Sequence, residues 1–190
     1  MRLYWLDLET TSLDPSTGSI LEVAVAVSLL ERPFDVTDAM SVVLRYPSVV
    51  DGAPDLDPVV LDMHTKNGLF VECRYSLLGV ADVEEELLKL VPEVADREDM
   101  PTLAGSSVHF DHAFLRAKMP RLAARFSHRH YDVSAVKLFC RSLGMPKIPK
   151  AEAHRAKDDV LESITHARYC TEWLMREGLR RGGAPLGALR

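Results

Sequence analysis

Asp7 and Glu9 stand two residues apart inside LYWLDLETTSLDP, the stretch covering residues 3–15. In a strand, positions i and i+2 share a face, so the two carboxylates lie side by side. Two ionised carboxylates that close repel each other, and one tends to keep its proton unless a positive charge intervenes. The local sequence brings no Lys or Arg within reach. A divalent cation is the natural completion, because Mg²⁺ and Mn²⁺ prefer oxygen ligands. The plainer account is a strand with one wet face, on which both groups simply meet water.

Two other places carry groups of the same kind. RAKDDVLESITHARYCTEWLMREG, residues 155–178, reads as a long final helix with an apolar stripe of Ala156, Val160, Ile164, Ala167, Thr171 and Leu174. At about 100° per residue, Asp159 falls at the edge of that stripe and Asp158 nearly opposite it. Asp159 is therefore expected to look toward a site, and Asp158 toward solvent. His154 precedes Asp159 by five residues, in a loop or first turn, where an imidazole moves more freely than in mid-helix. In LAGSSVHFDHAFL, residues 103–115, a strand ends in small residues and Asp111 starts a helix. Asp111 is either the N-cap of that helix or a third carboxylate carried to the strand ends beside Asp7.

The elements that must position these groups follow from the hydrophobic pattern. Residues 3–9, 20–30 and 39–46 read as three strands with short connections, an antiparallel meander. Residues 47–80 read as irregular, with a short helix near 58–63. DVEEELLKLVPEV, residues 82–94, reads as an amphipathic helix with Asp82 near its start and Pro92 near its end. A strand at 101–107, a helix over 111–126 interrupted at Pro120, a strand at 129–133 and a helix at 134–143 come next, then a loop at 147–154. Strands first and alternation later imply an α/β domain with a mixed sheet: a three-strand meander, then crossover strands, flanked by helices. Residues 1–178 are expected to form one domain, and 179–190, with three glycines and a proline, a flexible tail.

Bulk properties narrow the partners. The 190 residues carry a net charge of −5, with a pI near 5.8. A protein that grips long nucleic acid through its phosphates usually carries a basic surface, so a polyanionic substrate here should be short or held through metal ions. Cys73, Cys140 and Cys170 are far apart and odd in number, as expected of reduced, buried thiols in a cytoplasmic protein. No apolar run approaches the ~20 residues of a membrane span, and the chain runs directly into a strand without a basic-then-apolar leader. His109 and His112 flank Asp111, but no Cys or third His joins them in sequence as a zinc set.

Taken together, DLET with Asp7 and Glu9, Asp111 after a strand and loop, and His154 five residues before Asp159 resemble the DEDDh family of 3′→5′ exonucleases, which have an RNase H-like fold. LDPSTGSILEVA, MHTKNGL, AGSSVHFDHAFL, YDVSAVKLFCR and HRAKDDVLESITHARY narrow the likeness to the oligoribonuclease branch, over roughly residues 3–175. The resemblance implies 3′→5′ hydrolysis of short single-stranded oligonucleotides, RNA before DNA, to 5′-mononucleotides, by a homodimer. It implies that Asp7, Glu9, Asp111 and Asp159 bind two Mg²⁺ or Mn²⁺ ions and that His154 is the general base. Two such ions neutralise the phosphodiester and ionise the attacking water, and a His with a pKa of ~6.5 accepts a proton at neutral pH.

For the substrate, the resemblance implies that Leu13 wedges against a base, that His64 lies near the substrate, and that Ser107, Arg129 and Ser134 cap a 5′-phosphate. Three positions depart from the branch: Val59 and His128 stand where it usually has aromatic residues, and Ser12 stands for a glycine. Each aromatic platform lost removes roughly 1–3 kcal/mol of base stacking. Two alternatives remain open at this point. One is a DNA exonuclease of the proofreading or repair kind, which DLETTSLDP resembles equally; the other is a catalytically silent nucleotide-binding module.

Overall fold

The computed structural model describes residues 1–36, 38–46, 56–149 and 154–180. The expected order of strands and helices is present: β1 (Arg2–Thr10), β2 (Ile20–Leu29), β3 (Asp38–Val43), α1 (Pro58–Lys66), α2 (Leu69–Tyr75), α3 (Val80–Leu90), β4 (Thr102–Gly105), α4 (Val108–Lys118), α5 (Pro120–Ala123), β5 (His130–Asp132), α6 (Val133–Ser142) and α7 (Ala156–Arg180). The sheet runs β3-β2-β1-β4-β5. Its first three strands pair antiparallel, while β4 and β5 join parallel to β1 and to each other. This is the mixed sheet of a meander followed by crossovers.

β1 is the central strand and is covered on both faces. Tyr4, Leu6 and Leu8 pack with Val23, Val25 and Val27 against α3, α4 and α5. Leu3 and Trp5 pack with Ala24 and Ala26 against Ala156, Val160, Ile164 and Ala167 of α7. Period-2 alternation thus feeds two cores, and the near-continuous apolar run of β2 reflects burial on both sides. The predicted stripe of α7 is buried at Ala156, Val160, Ile164 and Ala167 but only half-buried at Thr171 and Leu174, where Cys170 is buried instead. β4 lies tightly against β1 at Gly105, where an added Cβ would stand 2.8 Å from the carbonyl oxygen of Leu6. Cys73, Cys140 and Cys170 are buried and unpaired in disulfides. No described helix is long and apolar enough to cross a membrane.

Besides shifts at strand and helix ends, such as β3 stopping at Val43, the boundaries differ most from expectation in three places. α2 falls inside a stretch read as irregular; Gly68 precedes it at φ 78°, a left-handed conformation that breaks the helical phase after α1. α3 begins at Val80, where the Asp82 carboxylate accepts the Gly79 amide at 2.8 Å, and ends before Pro92. α4 begins at Val108, not Asp111, with Ser107 as its N-cap at φ 61°. Asp111 is therefore within the first turn of α4 and is not its cap. The tail expected from 179 starts later, since α7 runs to Arg180; residues 181–190 lie outside the described residues, as do 150–153 of the loop before His154.

Candidate active site

On β1, Asp7 and Glu9 continue the row of Leu3 and Trp5 toward α7. The apolar contacts end where α7 begins, and Asp159 in its first turn reaches across. Oxygens of Asp7, Glu9 and Asp159 all lie within 4.8 Å of one another. Glu9 is buried, and Asp7 and Asp159 are half-buried, while Asp158 is exposed. The helical phase thus sorts the two neighbouring aspartates as expected.

Asp111 stands outside this close triad but lines the same cavity, about 320 Å³ in volume. Its carboxylate accepts the Leu8 amide at 3.1 Å, which ties α4 to the end of β1. Burial pushes the Asp111 carboxyl up to about 8, and the charges of Glu9 and Asp132 add to the rise against the pull of the Leu8 amide. Four carboxylates around one cavity, one of them too buried to ionise easily, form a hard oxygen donor set that fits a divalent cation.

The two histidines occupy different settings. His64 is fully buried on α1, with Nε2 3.6 Å from Glu9 and its ring edge-on to Phe70 at 5.5 Å. Neither ring nitrogen has a hydrogen-bond partner among the described residues. Burial holds the His64 pKa below the usual imidazole value, and nearby His154 lowers it further. His64 sits behind Glu9 and does not line the cavity. His154 is half-buried, at φ 46°, a conformation costing a non-glycine residue about 1–3 kcal/mol.

The backbone is anchored at His154 and just after it. Asn67 Nδ2 donates to its carbonyl at 2.6 Å. The next residue, Arg155, donates through Nε to Glu22 at 2.9 Å and through both terminal nitrogens to Glu72 at 2.8 and 2.9 Å. Glu22 also accepts the Ala156 amide at 3.1 Å, completing an orphan donor at the start of α7. His154 does not line the cavity that holds the four carboxylates.

Of the expected substrate residues, the structure brings two together. The Asp132 carboxylate accepts the amides of Ser107 and Ser134 at 3.2 and 2.8 Å, and the two hydroxyls stand 3.2 Å apart at the cavity wall. Leu13 is 81% exposed, and Arg129 is exposed; neither lines the cavity. Sequence reasoning missed Lys137, Glu162 and Ser163, which do line it. Helical spacing carried the signal: Lys137 is three residues beyond Ser134, and Glu162 and Ser163 are three and four beyond Asp159.

A family model described as Exonuclease, RNase_T, matches residues 4–166. An oligoribonuclease from Corynebacterium diphtheriae is 32% identical over 182 residues, spanning 93% of this chain and 85% of that protein. One from Corynebacterium efficiens is 36% identical over 178 residues, spanning 88% and 76%. One from Chromobacterium violaceum is 31% identical over 178 residues, spanning 92% and 96%. Among solved structures, exonuclease I from Methylocaldum szegediense superposes with a TM-score of 0.67 at 16% identity over 90% of this chain. Another exonuclease I structure gives 0.66 at 17% over 92%. This chain spans about two fifths of those exonuclease I chains, and the likeness is one of fold, the RNase H-like mixed sheet.

Proposed function

The chain belongs to the exonuclease family and, within it, to the oligoribonucleases, and from that premise we propose that it hydrolyses short single-stranded RNA from the 3′ end to 5′-mononucleotides. The observation that carries this reading is the meeting of Asp7, Glu9 and Asp159, from opposite ends of the chain, within 4.8 Å. Residues 1–178 then act as one exonuclease domain, assembled as a homodimer, which light scattering would check.

Asp7, Glu9, Asp111 and Asp159 would hold two divalent cations, Mg²⁺ or Mn²⁺, whose charge offsets that of the phosphodiester and makes the attacking water more acidic. His154 takes the proton of that water on an imidazole nitrogen as the oxygen bonds to phosphorus. The P–O3′ bond breaks, the departing 3′-oxygen takes a proton from solvent water, and His154 returns its proton to solvent; the nucleotide leaves with a 5′-phosphate and the shortened strand ends in a 3′-hydroxyl. Asn67 on the His154 carbonyl and Arg155 next to it hold the backbone at the start of α7 and leave the ring to swing. Ser107 and Ser134 offer paired hydroxyls to a phosphate oxygen. Leu13, exposed between β1 and β2, stacks on a base, and Arg129 meets the 5′-phosphate at the rim; His64 steadies Glu9.

Relatives at 31–36% identity favour RNA, whereas the exonuclease I likeness, at 17% or below in the two structures above, supports only the fold. The test is the product pattern on 5′-labelled RNAs of two to ten nucleotides, with Mg²⁺ and with Mn²⁺, beside a DNA 20-mer. Stepwise shortening of the RNAs is expected. A strong preference for the DNA, or no cleavage with either metal, would overturn the reading.

A further inference from the structure

A second cavity, about 330 Å³ in volume, adjoins the carboxylate-lined one and shares Ser134 and Lys137 with it. Its wall carries Lys137, Arg141, Lys147 and His166, together with apolar Leu138 and Ile148, and no carboxylate lines it among the described residues, though Glu162 stands 3.8 Å from His166. In a chain of net charge −5 this is a local reversal of sign beside the acidic site. Neither Arg141 nor Lys147 pairs with a carboxylate among the described residues. Lys137 is half-buried, its Nζ 3.4 Å from His166 Nδ1.

The placement on α6 is directional. Ser134, Lys137 and Arg141 recur at spacings of three and four, so they line one face of the helix. At 1.5 Å of rise per residue they span about 10 Å, leading away from the carboxylates. Cations set along that line match successive phosphates of a strand, and Leu138, 66% exposed, offers an apolar surface to a base or ribose between them. From this we infer that the second cavity is a subsite for the phosphates 5′ of the cleaved nucleotides. Resting on the exonuclease reading, it lets this chain take oligonucleotides longer than two residues as well as dinucleotides. Lys137 is the gate residue between the sites, and Arg141 and Lys147 hold the upstream phosphates.

The test compares kcat/KM for the wild type and the double variant Arg141→Ala/Lys147→Ala on an RNA dinucleotide and an RNA hexanucleotide across a salt series. Both side chains are exposed, and urea unfolding of the variant should match the wild type. The subsite predicts a loss of about tenfold on the hexanucleotide and less than twofold on the dinucleotide. It also predicts that the slope of log KM against log salt on the hexanucleotide shrinks by about 1.4, that is ~0.7 for each of two phosphate contacts. Equal losses at both lengths, or none at either, would overturn the subsite while leaving the exonuclease reading intact. A wild type inert on both RNAs would remove the exonuclease reading and the subsite together.

Discussion

Glu9 and Glu22 are direct partners in the β1–β2 register, and both are buried, at 8% and 2% exposure. Opposed residues of an antiparallel pair share a face, so both look toward α7. Their surroundings differ. Glu22 takes the Arg155 guanidinium, the Ala156 amide and the Ser41 hydroxyl. Glu9 meets His64 at 3.6 Å on one side and the carboxylates of Asp7 and Asp159 on the other. The protein supplies the cation for one glutamate from within; beside the other it gathers more negative charge. A buried carboxylate is therefore not itself a sign of function. The sign here is a buried carboxylate whose oxygens gather with those of two further carboxylates.

The sharpest way to break this contrast is to remove a carboxylate from the triad. Asp159→Asn is expected to lower kcat on an RNA pentanucleotide by about a thousandfold, the loss of several kcal/mol of charge stabilisation, while Asp158→Asn stays within twofold. Reversed results would show that the face of α7 has been misassigned. On the Glu22 side the expected loss is in stability, not chemistry. Arg155→Ala strands a buried glutamate and should cost about 3 kcal/mol in urea unfolding, at the lower end for a broken buried pair because Arg155 is a quarter exposed.

A third test separates the two regions by pH. Asp111 lines the triad's cavity, and its folded pKa, near 8, lies above the unfolded value of ~3.9. The folded state then binds the extra proton between these values, so this contribution is present at pH 4 and lost as pH rises through 8. Metal-free protein should melt lower at pH 8 than at pH 5. Asp111→Asn should raise the metal-free melting temperature at pH 8, and Mg²⁺ should do the same for the wild type only. The smallest effect belongs to Glu72→Gln. Glu72 is 48% exposed, and its removal leaves Glu22 on Arg155, so a loss below about 1 kcal/mol is expected. A larger loss would mean that Glu72, not Glu22, anchors the start of α7.

The acids were legible because their signals are local. Strand alternation put Asp7 and Glu9 on one face, and the apolar phase of α7 separated Asp159 from Asp158. The meander and crossovers were legible from the order of patterns. The residues alone left Asp111 open between a helix cap and a third carboxylate, because the left-handed Ser107 that starts α4 leaves no mark in the residue pattern. Glu22 passed as an ordinary strand residue, since its partner lies 133 positions away. The burial of His64 behind Glu9 and the joining of two cavities at Lys137 depend on how helices pack, which spacing within one element does not encode.

The contact at Gly105 makes the whole arrangement intolerant of a single methyl group. An alanine there would press on the Leu6 carbonyl one residue before Asp7. To relieve it, β4 would have to slide off its neighbour, taking the Ser106–Ser107 turn and the root of α4 with it. Asp111 would retreat from the other acids without any acid being altered. Such a variant would fold, keep every group that the chemistry names, and fail because the sheet had been wedged open.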